Sequence, residues 1–396
     1  MKLLNARLID GTGAVHERVD IELDGKNFDN ITPSAEQAST DPANPQMSHV
    51  VDLEGKTVIP GMFNCHVHMT LDASGNPDTE LRGESITYKT LKTVKRAEDL
   101  IKAGVTTARD LGGGEYIEMS LKRAIAEGLF TGPRLLVSGK VLTMTGGHGW
   151  WIGAEVDGID EVRKAARLNI KLGADCIKMM ATGGVMTPNV DPNNVQLAEE
   201  ELRAGFEEAH KAGKLSATHA IGLNGIKNAV RAGVRTVEHG VYLDDEVINM
   251  MLERNTYLVP TLAAPRQILN AGEAGGVPKF MVDKSAKVVE FHMNSAAMAH
   301  KAGVKIACGS DAGTPYNPHG DIFTEMALLV EIGMSHLEAI LSATAVAAEA
   351  MKLDDRLGTV QPGKLADLVV YNGDPLADLT VLKSPLMVWK EGQRLL

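Results

Sequence analysis

From residue 59 the chain repeats one unit: a short apolar segment with the make-up of a buried strand, then an amphipathic stretch long enough for a helix. Eight such segments can be read: FNCHVHMT, TTARDLG (106–112), RLLVSG (134–139), CIKMMA (176–181), LSATHAI (215–221), TVEHG (236–240), TYLVPTL (256–262) and KIACGSDAG (305–313). This alternation is the signature of βα units on a parallel sheet, and eight strands favour a closed (β/α)8 TIM barrel of the α/β class. The intervening DEVRKAARLNIKLG, AEEELRAGFEEAHKAG, LNGIKNAVRAG and DDEVINMMLERN end at Gly or Asn, residues that accept the left-handed conformation closing a helix. AG-V junctions at 103–105, 232–234 and 302–304 fit helix-to-strand turns. SHLEAILSATAVAAEAMKL has capping-box spacing at Ser335 and Glu338 and is predicted to be one long helix, its small side chains packing on the terminal module or at a subunit contact.

The ends are different. Residues 1–58 and 356–396 carry short strand patterns, KLLNARLID, VDIELDG, GKLADLVVYNG and SPLMVWKEGQRLL, with a loop through TPSAEQASTDPANPQ. They are expected to join into one small β-sandwich beside a barrel spanning 59–355, and 396 residues suit that combination. The formal net charge of -11 repels nucleic acid and anionic membranes, leaving a small molecule as the expected partner, with homo-oligomerisation open. MKLLNARLIDGTG lacks the features of a signal peptide and no apolar run reaches membrane-spanning length, so a cytoplasmic location is expected. Cys65, Cys176 and Cys308 have neither disulfide-framework nor zinc-finger spacing. They read as barrel-packing residues, with Cys65 and Val67 on the face opposite His66 and His68.

Alternation of side chains along a strand makes His66 and His68 project together. Alone, such a pair reads either as metal ligands or as hydrogen-bonded core histidines, the commoner case. Lys178, His219, His239 and Asp311 stand at other strand ends, and barrel active sites gather where those ends meet. Each has its own structural explanation, yet four histidines, a lysine and an aspartate on five strands at one end describe a metal site.

The pattern resembles the amidohydrolase superfamily: HxH on the first strand, Lys on the fourth, His on the fifth and sixth, Asp on the eighth. The likeness spans the chain, from VIPGMFNCHVH to GTVQPGKLADLVVYNGDP, and is nearest to the imidazolonepropionase-related group with its prolidase-like and Xaa-Arg or Xaa-Lys dipeptidases, through KMMATGGVMTPNVDPN and MTGGHGWW. It implies a CO2-derived carbamate on Lys178 bridging two divalent metals, one held by His66, His68 and Asp311, the other by His219 and His239. Zinc is the default; manganese, cobalt or iron also fit. It further implies hydrolysis of an amide C–N bond by water activated between the metals, with Asp311 as general base and then acid. His148 is expected over the metals, polarising the carbonyl or stabilising the oxyanion.

Candidate substrate contacts are Trp150 and Trp151, the loop residues Gly183, Gly184, Met186 and Asn189, and Tyr316 and His319 after the eighth strand. Arg266 is the candidate receptor for a substrate carboxylate. A dipeptide or N-acyl amino acid is the expected substrate. Peptidase relatives often carry a polar residue where this chain has Ile221, which keeps open uncharged amides, carbamates, phenylureas and ochratoxin-like amides. Lys178 argues against a one-metal deaminase, and the full ligand set argues against a non-catalytic interaction protein.

Overall fold

A computed structural model describes residues 1–34 and 50–396. The expected loop at 32–46 begins as strand through Pro33 and beyond residue 34 lies outside the described residues. Strands β1 (Lys2–Ile9), β2 (Val15–Asp24), β3 (Asn27–Pro33), β4 (Val50–Asp52) and β5 (Thr57–Pro60) come from one end. Strands β6 (Met62–Val67), β7 (Val105–Asp110), β8 (Arg134–Val137), β9 (Val141–Thr143), β10 (Gly153–Glu155), β11 (Cys176–Met180), β12 (Leu215–Ala220), β13 (Thr236–His239) and β14 (Tyr257–Val259) follow. Strands β15 (Leu368–Tyr371), β16 (Pro385–Lys390) and β17 (Gln393–Arg394) return at the far end.

Both ends share one sheet in the order β17-β16-β15-β5-β1-β2-β3, with β4 also on β1. A bridge between Asn27 and Leu365 curls the β3 edge back over it, enclosing Leu8, Ile21, Phe28, Leu368 and Trp389 in a sandwich-like core. The chain leaves this sheet at Gly61, where a Cβ would sit 2.3 Å from Thr106 Oγ1; only glycine permits so close an approach of β6 to β7.

The barrel is parallel: β6-β7-β8 form one run and β9-β11-β12-β13-β14 the other, with β10 beside β9. The third strand is split, because Gly139 at φ +71 interrupts it between β8 and β9. Closure comes from residues 305–312, which are less regular than the expected strand. They touch β14 through Leu258–Ile306 and β6 through Val67–Ala312, as isolated bridges. The cause is local: Gly309 approaches the His66 backbone so closely that a Cβ would lie 2.9 Å from its nitrogen, and Asp311 then turns to φ 60.

Helices form an outer ring whose apolar faces meet the outward side chains of the strands, such as Val67, Ile177 and Met179. Left-handed Gly173, Gly213, Gly233 and Asn255 end four of them as expected. The tail region is corrected. The capping box at Ser335 forms, but the helix His336–Ser342 stops, Thr344 adopts φ -129 and ψ -95, and a second helix runs Ala345–Ala350. The break has a structural use, since Phe63 N and Cys308 N donate to Ala343 O and Ser342 O, tying the first helix to the barrel floor. The second helix plugs that floor against Phe63, Cys176, Leu215 and Tyr257, rather than covering the sandwich.

Cys65 is a second correction. It joins this interior cluster instead of sharing Val67's outer face, because the β6–β7 register slips between Asn64 and Val67. All three cysteines are free and buried, and burial lifts the Cys65 and Cys176 thiols to about 12, which removes them as nucleophiles. Among the described residues no helix is long and apolar enough to cross a membrane.

Candidate metal centre

The strand ends converge at one mouth. His66 Nε2 and His68 Nε2 lie 3.3 and 3.2 Å from Asp311 Oδ1. The His66 ring is 5.4 Å from His239, His239 is 4.5 Å from His219, and His219 is 4.4 Å from His148. Lys178, fully buried on β11, lines the same cavity. Three consecutive strands end in left-handed residues that are not glycine, His239 (φ 72), Thr261 (φ 54) and Asp311 (φ 60). Such residues cost about 1–3 kcal/mol each and persist only where the surroundings fix them.

Hydrogen bonds assign the imidazole protons. His66 Nδ1 meets Glu238 Oε2 at 3.0 Å, His68 Nδ1 meets Gly112 O at 3.0 Å, and His219 Nε2 meets Gly183 O at 2.8 Å. Carbonyls and carboxylates only accept, so those nitrogens carry the proton. His239 Nδ1 contacts Thr261 Oγ1 at 2.6 Å, and that hydroxyl already donates to Pro260 O, so His239 donates as well. Each ring therefore keeps one lone pair, on Nε2 of His66, His68 and His239 and on Nδ1 of His219, in the manner of metal-binding histidines oriented by a neighbour. Burial, with the nearby cations, holds His66 and His239 well below the ordinary histidine range and His219 at about 4, so these rings are neutral at pH 7.

These lone pairs test the fit of a cation. Asp311 Oδ1 is buried without a hydrogen-bond donor, facing two lone-pair nitrogens, an electron-rich triad that a divalent ion would satisfy. Without a cation the triad draws a proton instead: burial depresses His68, but the Asp311 hydrogen bond and charge outweigh it and raise His68 overall. Asp311 is held well below the usual carboxylate range, because His66, His68 and Lys178 together overcome its burial. Burial lowers Lys178 to about 8, against the pull of Glu238 and Asp311, so its amine sheds the proton far more readily than an exposed lysine.

A support layer lies below. Arg109, wholly buried, donates to Cys65 O, Thr236 Oγ1 and Glu238 Oε1 at 2.7, 2.9 and 2.9 Å, and Glu238 in turn holds His66. Asp110 accepts from Met69 N and Gly112 N at 2.7 and 2.9 Å, fixing the backbone that carries the His68 partner. Neither was expected from sequence. The signal was a charged residue inside an apolar strand, in TTARDLG and TVEHG, but alternation would turn Glu238 outward when His239 faces in; the left-handed turn at His239 lets both serve the interior.

His148 differs from the ring of four. Its Nδ1 lies 2.9 Å from Thr187 Oγ1, and that oxygen accepts from Gly149 N at 3.1 Å, leaving the hydroxyl proton for His148. His148, neutral through burial and the neighbouring His219 and Lys284, thus carries its proton on Nε2. It lies over Gly184, where a Cβ would be 2.3 Å from that nitrogen. Lys284, on the helix Lys279–Ala302, fixes this loop by donating to Gly184 O, Thr187 O and Val190 O at 3.1, 2.6 and 2.6 Å. No strand-end position marks Lys284, and sequence reading passed over it.

The cavity is lined by His66, His68, His148, Lys178, His219, His239 and Asp311 at the strand ends. Trp151, Met186, Ile221, Val241, Ile268 and Val288 line it too. Gly183 contributes its carbonyl to His219, and Gly184 its lack of a side chain. Other candidates are not brought to the cavity. Arg266 faces a surface depression and pairs with Glu331 at 3.4 Å, because its helix turns that side outward. Trp150 is exposed under Arg82, and Asn189 is exposed in its loop. Tyr316 bonds Gly275 O at 2.6 Å across the rim. His319 is buried behind His68, whose carbonyl its Nε2 meets at 3.0 Å.

The model of the Amidohydrolase family matches residues 57–395. The chain is 32% identical over 367 residues to the ochratoxinase of Aspergillus niger, covering 85% of this chain and 75% of that one. It is 23% identical over 413 residues to the imidazolonepropionase of Rhizobium rhizogenes, covering 95% and 92%. A crystal structure of a Xaa-Pro dipeptidase with methionine bound in its active site superposes with a TM-score of 0.90 at 32% identity, covering 99% of this chain and 98% of that one.

Proposed function

Since this chain belongs to the amidohydrolase family, a metal-dependent hydrolase acting on amide bonds, we propose that it cleaves the C–N bond of an amide substrate at a two-metal centre. His66, His68 and Asp311 would hold one ion, His219 and His239 the other, and a carbamate on Lys178 would bridge them. The observation that carries this reading is the proton assignment: four buried rings each direct one nitrogen's proton to protein, which turns the other nitrogen toward the cation site. When bound, the metals supply Lewis acidity that makes water a nucleophile near neutral pH. Lys178, wholly buried and readier than an exposed lysine to shed its proton, is suited to add CO2, which turns a costly buried ammonium into an anionic oxygen ligand.

The chain's own groups then divide the work. Asp311, ionised and without a hydrogen-bond donor, accepts a proton from the attacking water. His148 donates its Nε2 proton as a hydrogen bond to the carbonyl oxygen as negative charge builds there. A C–O bond forms, the C–N bond breaks, and the proton held by Asp311 passes to the leaving nitrogen. One water is consumed, giving a carboxylic acid and an amine. Ochratoxinase and Xaa-Pro dipeptidase, named for their substrates, support this bond type.

The test is metal analysis with a panel of dipeptides and N-acyl amines, including a carbamate and a phenylurea. Close to two ions per chain and release of amine from at least one amide are expected. A chain with two ions that hydrolyses nothing would sink the reading.

A further inference from the structure

Resting on the amide-hydrolase reading, we propose a substrate class: an amide that is uncharged and apolar on both sides of the scissile bond, with no free carboxylate on its amine half. The polar side chains of the cavity cluster at its floor, where the strand ends meet. Above it three apolar clusters converge from different elements: Ile152 with Met180, Met186 with Ile268, and Ile221 with Val288. They come from the third-strand loop, the fourth strand and its loop, the end of the fifth strand and the helices after the seventh, so apolar side chains face the cavity from several sides.

A buried carboxylate needs a cation or several donors, and an apolar wall supplies neither. Among the described residues, Lys178 is the one lysine or arginine that lines the cavity. Lys178 is at the floor among the imidazoles. Lys284 spends its three protons on Gly184, Thr187 and Val190 carbonyls. Arg266 pairs with Glu331 outside the cavity. Of the polar side chains on the wall, Thr314 donates to Asp311 O and His292 Nε2 to His239 O, and the unpaired Trp151 Nε1 offers one neutral donor, short of the cation or several donors that a buried carboxylate needs. A free N-acyl amino acid would bury its charge against Ile221 or Val288 unpaired, whereas the same molecule without that charge would bury apolar surface there.

The experiment compares N-benzoyl-leucine with N-benzoyl-3-methylbutylamine, the same molecule with hydrogen in place of the carboxylate, on the full-length metal-replete chain. The neutral compound is expected to have kcat/KM at least about tenfold higher. Equal or faster cleavage of the acid overturns the proposal while leaving amide hydrolysis intact. Hydrolysis of neither compound, nor of any other amide, by a chain with two bound ions overturns the underlying reading and the proposal with it. Ile221→Lys and Val288→Lys each place an ammonium on the wall, and either one, if folded and metal-loaded, is expected to shift the ratio toward the acid. An unchanged ratio in both overturns the assignment of this wall as the amine-half pocket.

Discussion

The floor and the wall of this cavity follow opposite rules. On the floor, each imidazole that carries a role has a fixed partner: Glu238, Gly112, Gly183, Thr261 and Thr187 settle where the protons of His66, His68, His219, His239 and His148 reside. On the wall, Met186, Ile221, Ile268 and Val288 contribute shape and dryness alone, and nothing directional. On the proposed reading, chemistry is lodged in the strand ends and selectivity in the segments that follow them, a division that lets one change while the other is kept.

Mutations can break that division, and the largest effect belongs to the floor. Lys178→Ala is expected to bring metal well below two ions per chain and activity to background, read by elemental analysis and turnover together. An active variant with one ion would dissolve the two-metal scheme. Next comes Glu238→Ala, which frees Arg109 in a fully buried position and unties His66. Loss of about 3–5 kcal/mol in chemical unfolding and about 10–100-fold in metal affinity is expected. His148→Gln should lower kcat by about 100-fold with metal content unchanged; a change in KM alone would reassign His148 to the wall. Val288→Ala should act from the other side of the division, raising KM by about tenfold or less for an apolar amide while kcat and metal stay constant.

A pH-dependent effect concerns an acid that lacks the partners enjoyed by Glu238. Glu118 is buried with neither oxygen hydrogen-bonded, and burial, aided by Asp110, lifts it from 4.5 to about 8. The folded state thus keeps a proton that the unfolded chain releases above about 4.5. Stability of the natural chain should fall as pH rises from about 5 to 8, by up to about 1.4 kcal/mol per unit from this group. Glu118→Gln, neutral at every pH, should remove that slope in denaturant titrations, and parallel slopes would refute the assignment.

Much of the floor was legible in the sequence because strand ends are positions that periodicity can count. His66, His68, Lys178, His219, His239 and Asp311 all stand where eight βα units place them, and the structure brings them to one mouth. The supports were hidden for physical reasons. Glu238 is revealed only when His239 abandons regular strand geometry, and Lys284 acts from a helix with no marked place in the repeat. The wall was partly legible: Trp151, Met186 and the odd Ile221 line the cavity, but Arg266, Tyr316, His319, Trp150 and Asn189 depend on loop trajectories that spacing does not fix. The tail helix illustrates the same limit, for its break at Thr344 answers to hydrogen bonds from Phe63 and Cys308, far away in the chain.

The shared terminal sheet also sets a timetable. Thr57 Oγ1 donates to Gly373 O across 316 residues, and β5 finds β15 only after the barrel has been synthesised. At ribosomal speeds of about 5–20 residues per second, the early strands wait roughly 15–60 s with an open edge. During that interval Val58 and Ile59 face whatever else is nearby, so the vulnerable moment in this protein's life falls before its catalytic machinery is complete, while its first strands are still without their last partner.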